Sequence, residues 1–160
     1  KPSVDERYIM ASRRAASLFR ACMLLGAVIG NVEEEEKKLI EEIAENIGYV
    51  FDIQDDIIGT FASEEEYGRP PGRDIVLGKK PLHVVYAYEI LPDFELDDVR
   101  KVKERIKECG ALEMAKERAR QHADRAISLI ERTKMKESVK DNFRDFIKFT
   151  RDSLEWYKES

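Results

Sequence analysis

Three carboxylates, Asp52, Asp55 and Asp56, stand close together in the segment from Tyr49 to Lys80, YVFDIQDDIIGTFASEEEYGRPPGRDIVLGKK. At roughly 3.6 residues per turn they share an arc of about 100° on a helix, so all three can converge on one face. Such clustering is costly near the C-terminal end of a helix, where unpaired carbonyls already repel anions. A cation would offset the cost. Magnesium suits these residue types, because it takes oxygen ligands, keeps several waters and is commonly held by one or two carboxylates together with phosphate oxygens. Downstream, Arg69, Arg73, Lys79 and Lys80 supply charge able to grip a phosphate. The stretch carrying them, Gly59 to Gly78, runs for roughly twenty residues, far longer than most helix connections; such loops are usually functional or disordered. A solvated acidic helix end followed by a flexible linker is the plainer reading of the same residue types. Their order and spacing favour a site.

The rest of the chain must position these groups. Ser3 and Glu6 fit a capping box, and Leu18, Cys22, Leu25 and Ile29 recur at steps of 4, 3 and 4 until Gly30 and Asn31. One helix is expected over Val4 to Ile29. A second starts with acids at Glu33 to Glu36 and carries Leu39, Ile43, Ile47, Val50 and Phe51 into the aspartates. Pro81 can open a short helix with Leu82, Val85, Tyr86 and Ile90 buried, ending near Pro92. Three more amphipathic helices follow: one through Leu96, Val99, Val102 and Ile106, one from Leu112 to Ile130, and one through Val139, Phe143, Phe146, Thr150, Leu154 and Tyr157. Phe143, Phe146 and Phe149 read as core, and His83 and His122 as satisfied or exposed side chains rather than ligands. The basic run Arg100 to Lys107 reads as a solvated face. The expectation is an all-α antiparallel bundle of about six helices, forming one domain over residues 1–160.

With 160 residues and 42% hydrophobic content the chain can bury a single core. A net charge of −5 gives no global bias towards nucleic acid or an anionic membrane. Cys22 and Cys109 lie in no metal-ligand spacing, and no apolar run is long enough to span a bilayer. A reduced cytoplasmic compartment is expected. The chain starts at Lys1 rather than Met, as a processed or truncated chain would.

The central segment resembles the second aspartate-rich region of the trans-isoprenyl diphosphate synthases, the polyprenyl synthetase family, and within it the archaeal short-chain geranylgeranyl or farnesyl type. Phe51, Asp55 and Asp56 match the family motif, with Gln54 just before the pair. Asp52 stands where Gln is usual, and Gly59 where a third Asp is expected. Arg69 after Gly68, Asp74, and Gly78 with Lys79 match at the family's spacing, and Pro81 stands where Thr is frequent. In YIMASRRAASLF, Arg14 and Ala15 occupy a pair that is Lys-Thr in the family, with Arg13 beside them.

The resemblance implies an isoprenoid-synthase-like helical bundle around a deep cavity. It implies Asp55, Asp56 and Lys79 as catalytic, Asp55 and Asp56 as magnesium ligands with Asp74 as an outer ligand, and Arg14, Gln54, Arg69 and Lys79 as diphosphate binders. The implied reaction is ionisation of an allylic diphosphate followed by condensation with isopentenyl diphosphate. The family's first motif, DDxxD, lies in its N-terminal half, and none precedes the site here. The chain therefore reads as a C-terminal half, inactive alone, that works as a homodimer or with the missing half or a partner synthase. A naturally short, non-catalytic subunit paired with an active synthase is the alternative, and a plain helical interaction module the third. Product length is set near the first motif and is not legible here.

Overall fold

A computed structural model describes residues 3–68 and 70–153, and all regular structure among them is helical. The order is α1 (Val4–Arg13), α2 (Ala15–Ile29), α3 (Glu34–Phe61), α4 (Glu64–Tyr67), α5 (Arg73–Val76), α6 (Leu82–Ile90), α7 (Val99–Glu108), α8 (Ala111–Glu131) and α9 (Glu137–Asp152). The expected capping box at Ser3 and Glu6 is present. No helix among the described residues is long and apolar enough to cross a membrane.

The 28-residue α3 is the spine. Ile43, Ile47 and Val50 meet Ala123, Ala126, Leu129 and Ile130 of α8, whereas Ile53, Ile57 and Phe61 join the cluster that holds Ala111, Ala115 and Ala119. Early α3 thus pairs with late α8, so the two run antiparallel. Alanines at 111, 115, 119, 123 and 126 are all fully buried, and their small side chains let the two helices pack closely. α6 is buried on every side from Leu82 to Ala87, as a helix in the interior of a bundle must be, while Ile90 lies exposed.

Several expectations are corrected. The single helix over 4–29 is two, broken at Arg14 (φ −99°, ψ −104°), where no proline or glycine stands. The long connection is not structureless, since α4 and α5 each form one turn within it. Phe51 lies 43% exposed beside the α3 stripe, with its ring centroid 5.5 Å from that of Phe19. On α9 the buried positions are Ile147 and Thr150, and Phe146 and Phe149 are exposed, because only part of its broad apolar face is covered by α8. Leu154 and Tyr157 fall outside the described residues.

The face formed by Leu18, Cys22, Leu25 and Ile29 is exposed, with Ile29 at 79%. α2 instead docks through its small residues. Ala16 is fully buried, and a Cβ on Gly48 would come within 2.3 Å of the Ala16 Cα. The crossing of α2 over α3 therefore needs glycine at 48. Gly48→Ala is expected to cost about 1–3 kcal/mol through overpacking against backbone that cannot yield; urea titration followed by circular dichroism measures it, and an unchanged midpoint would refute the close crossing.

Candidate functional site

α3 separates the three aspartates. Asp52 and Asp56, one turn apart, are buried at 2% and 3%, whereas Asp55 is exposed. Two buried carboxylates this close demand compensation. Arg7 of α1, itself 3% exposed, places one Nη atom against an oxygen of each carboxylate. Arg14 adds its Nη2 at 2.5 Å from Asp52 Oδ1 and 3.5 Å from Asp56 Oδ1. The result is a neutral cluster of two guanidiniums and two carboxylates. Burial pushes the Asp56 carboxyl up to about 6, with Arg7 opposing the rise. Sequence reasoning missed Arg7, although it lies seven residues, two helical turns, before Arg14 and so shares its face in a continuous pattern.

The loop returns to the same place. Ile75, 4% exposed, anchors it in the core, and Gly72 N–H donates to the Gly59 carbonyl at 2.9 Å. That position of α3 thus receives the loop backbone where a carboxylate was expected. Gly78, at φ 76°, turns the chain so that Lys79 N–H reaches the Asp74 carbonyl at 2.9 Å. Lys79 Nζ also pairs with Asp74 Oδ1 at 2.8 Å.

Arg7, Arg14, Lys79 and Lys80 line a cavity of about 680 Å³ together with Asp56 and Met10. An adjoining recess of about 280 Å³ is lined by Asp55, Asp52, Arg14, Ala15, Phe51 and Lys79. Arg14 and Lys79 belong to both. The arrangement can hold an anion: clustered cations in a concave surface, with two exposed carboxylates at its edges, Glu6 at the cavity and Asp55 at the recess.

Of the expected site residues, the structure brings Arg14, Asp55, Asp56 and Lys79 together. Asp74 touches Lys79 without lining either space. Gln54 is placed elsewhere, its amide donating to Ser153 at the end of α9. Arg69 lies outside the described residues. Lys80, expected among the phosphate-gripping cations, lines the cavity too, and Arg7 and Met10 are additions. Among the described residues no group of three or more His, Cys, Asp or Glu side chains could cage a metal. The donors fit magnesium of the other kind, in which an exposed carboxylate, Asp55, shares the ion with phosphate oxygens that neighbouring cations hold.

Behind the aspartates lies a hydrogen-bonded layer. Thr60 Oγ1 donates to the Asp56 carbonyl at 2.8 Å, so His83 Nε2, 3.1 Å away, donates to Thr60. His83 Nδ1 is then a buried acceptor without a partner among the described residues. His122 Nδ1 meets Asn46 Oδ1 at 2.8 Å, and its Nε2 accepts from Tyr8 at 2.9 Å, tying α1, α3 and α8 together. Both imidazoles are held neutral.

The sequence profile of the polyprenyl synthetase family matches residues 2–140. The chain belongs to that family. It is 32% identical over 133 residues to a geranylfarnesyl diphosphate synthase of Aeropyrum pernix, covering 77% of this chain and 42% of that one. It is 27% identical over 136 residues to heptaprenyl diphosphate synthase component 2 of Geobacillus stearothermophilus, covering 79% and 42%. The solved geranylgeranyl pyrophosphate synthetase of Pyrococcus horikoshii superposes with a TM-score of 0.83 at 26% identity, over 95% of this chain and 50% of that one. This polyprenyl synthetase chain thus spans half or less of the length of these relatives, and its fold is the isoprenoid-synthase bundle expected from the motif.

The histidines set a pH dependence. Burial lowers His122 from 6.5 to about 4 and His83 from 6.5 to about 3. The unfolded chain therefore takes up these protons first, and the stability they contribute is complete above pH 6.5 and lost as pH falls towards 4 and below. His122→Gln, which can keep both hydrogen bonds, is expected to flatten the fall in urea midpoint between pH 6.5 and 4; an unaltered slope would show that His122 titrates normally.

Proposed function

We propose that this chain carries the diphosphate-gripping half of a prenyltransferase of isoprenoid biosynthesis, which condenses an allylic diphosphate with isopentenyl diphosphate. The supporting observation is the meeting of Arg14 and Lys79 with both Asp55 and Asp56 across one cavity and its recess. In this reading Arg14, Lys79 and Lys80 bind the diphosphate oxygens and neutralise charge as the leaving group departs from the allylic carbon. The carbocation adds to the double bond of isopentenyl diphosphate, and loss of a proton completes the longer chain. Asp55 would hold magnesium, with Asp56 behind it and Asp74 reaching it through water; when bound, the ion supplies further positive charge to the departing diphosphate. Arg69 joins the diphosphate binders of the reading. Met10 and Phe51 provide apolar wall beside the charges. The two free thiols, Cys22 and Cys109, suit a reducing cytoplasm.

Turnover in this reading requires the complementary half of the fold, because the chain spans half of the synthetase it superposes on. Calorimetric titration with a short prenyl diphosphate tests the site directly. Binding that needs magnesium and disappears in Asp55→Asn with Asp56→Asn is expected; magnesium-independent binding that survives those changes would overturn the reading.

The exposed stripe on α2 also favours a second reading, a non-catalytic subunit that pairs with an active synthase, in dimeric form or otherwise. Native mass spectrometry with an archaeal short-chain synthase separates the two. A stable mixed complex supports the subunit reading, and a chain that stays apart from the synthase refutes it.

A further inference from the structure

Asp52 is the site residue that neither the metal nor the diphosphate reading uses, and it departs from the family pattern, where Gln is usual. Its side chain is 1% exposed and both oxygens are engaged, Oδ2 by Arg7 and Oδ1 by Arg14. Arg14 departs from the pattern too, standing where the family has Lys. The two departures meet each other. A guanidinium can meet a carboxylate through one Nη and keep the rest of its planar fork for a second anion, whereas an ammonium is a point charge and a neutral amide carries none of the attraction. Arg14 remains 41% exposed, and it lines both the cavity and the recess. Only its Nη2 has a partner among the described residues, which leaves the Nε and Nη1 donors of the fork for an anion.

Resting on the diphosphate reading above, we propose that Asp52 is a positioning residue for diphosphate capture, holding the Arg14 guanidinium at the wall shared by cavity and recess while Arg7 balances the second buried carboxylate. Fixing a long side chain before the ligand arrives removes part of the ordering cost of binding. Asp56 cannot do this alone, since its nearest oxygen lies 3.5 Å from Arg14. Arg14 itself stands at the break between α1 and α2.

A double-mutant cycle on the whole chain tests the assignment, with magnesium pyrophosphate as the probe, affinity read by calorimetry and folding by thermal denaturation. Asp52→Asn and Arg14→Gln are each expected to weaken binding about tenfold, and the double variant to bind no more weakly than Arg14→Gln alone. Losses that simply add, or an Asp52→Asn that lowers the melting temperature without changing affinity, would reduce Asp52 to a structural staple and overturn the proposal. Where Asp52→Asn does not fold, the charge-balanced pair Arg7→Gln with Asp52→Asn takes its place in the cycle, read by the same criteria. A parent chain that fails to bind magnesium pyrophosphate overturns the diphosphate reading and this inference with it; a parent that binds, with additive losses, overturns this inference only.

Discussion

Two carboxylates buried one turn apart on α3 are the constraint on which the molecule turns. Removing one partner from a buried ion pair typically costs about 3–5 kcal/mol, because the other charge is left in a medium that cannot solvate it. Asp52 and Asp56 therefore require Arg7 and Arg14, and these require α1 and the α1–α2 junction to lie across this part of α3. The residue at the break between α1 and α2, with no proline or glycine there, is one of these two arginines. Fold and site share one interaction, so the guanidinium that completes the core also faces the anion cavity.

The cluster also divides roles within a short motif. Asp56 faces inward, is neutralised by guanidiniums and has its carboxyl raised by burial, whereas Asp55 turns outward into the recess. Adjacent residues on a helix differ by about 100° in direction, which suffices to put one carboxylate in the core and the next at the surface. An exposed carboxylate among cations can exchange ligands; a buried one held by two arginines is a fixed support. Lys79 sits between these states, paired with Asp74 at 2.8 Å but half-exposed and lining both spaces.

Periodicity made much of this legible. The stripe from Ile43 to Val50, the capping box at Ser3 and the helix-by-helix order follow from local pattern and need no knowledge of partners. The break at Arg14 does not: no residue type there signals it, and the partner that Arg14 meets lies 38 positions away. The α2 face shows a second limit: a clean 4-3-4 apolar spacing marks a helix without saying which side it buries, and here the small residues Ala16 and Gly48 decided the contact. Gln54 shows a third. It lies about 200° from both Asp52 and Asp56 on the helical wheel, so geometry alone already turned it from the carboxylate face. Family likeness suggests a diphosphate binder there, whereas the Gln54 amide meets Ser153 in this structure.

What the described residues supply is the polar part of the proposed chemistry. Cations and a carboxylate can grip and release a diphosphate in an open site, but a carbocation survives only where water is excluded. The apolar wall beside the charges is short, chiefly Met10, Phe51 and Pro81, while the broad apolar face of Leu18, Leu25 and Ile29 looks outward from the helix that begins beside Arg14. Phe146, close to Phe19, extends this surface. Under the proposed reading, whatever covers α2 hides an exposed apolar face on the helix that begins beside the proposed diphosphate site.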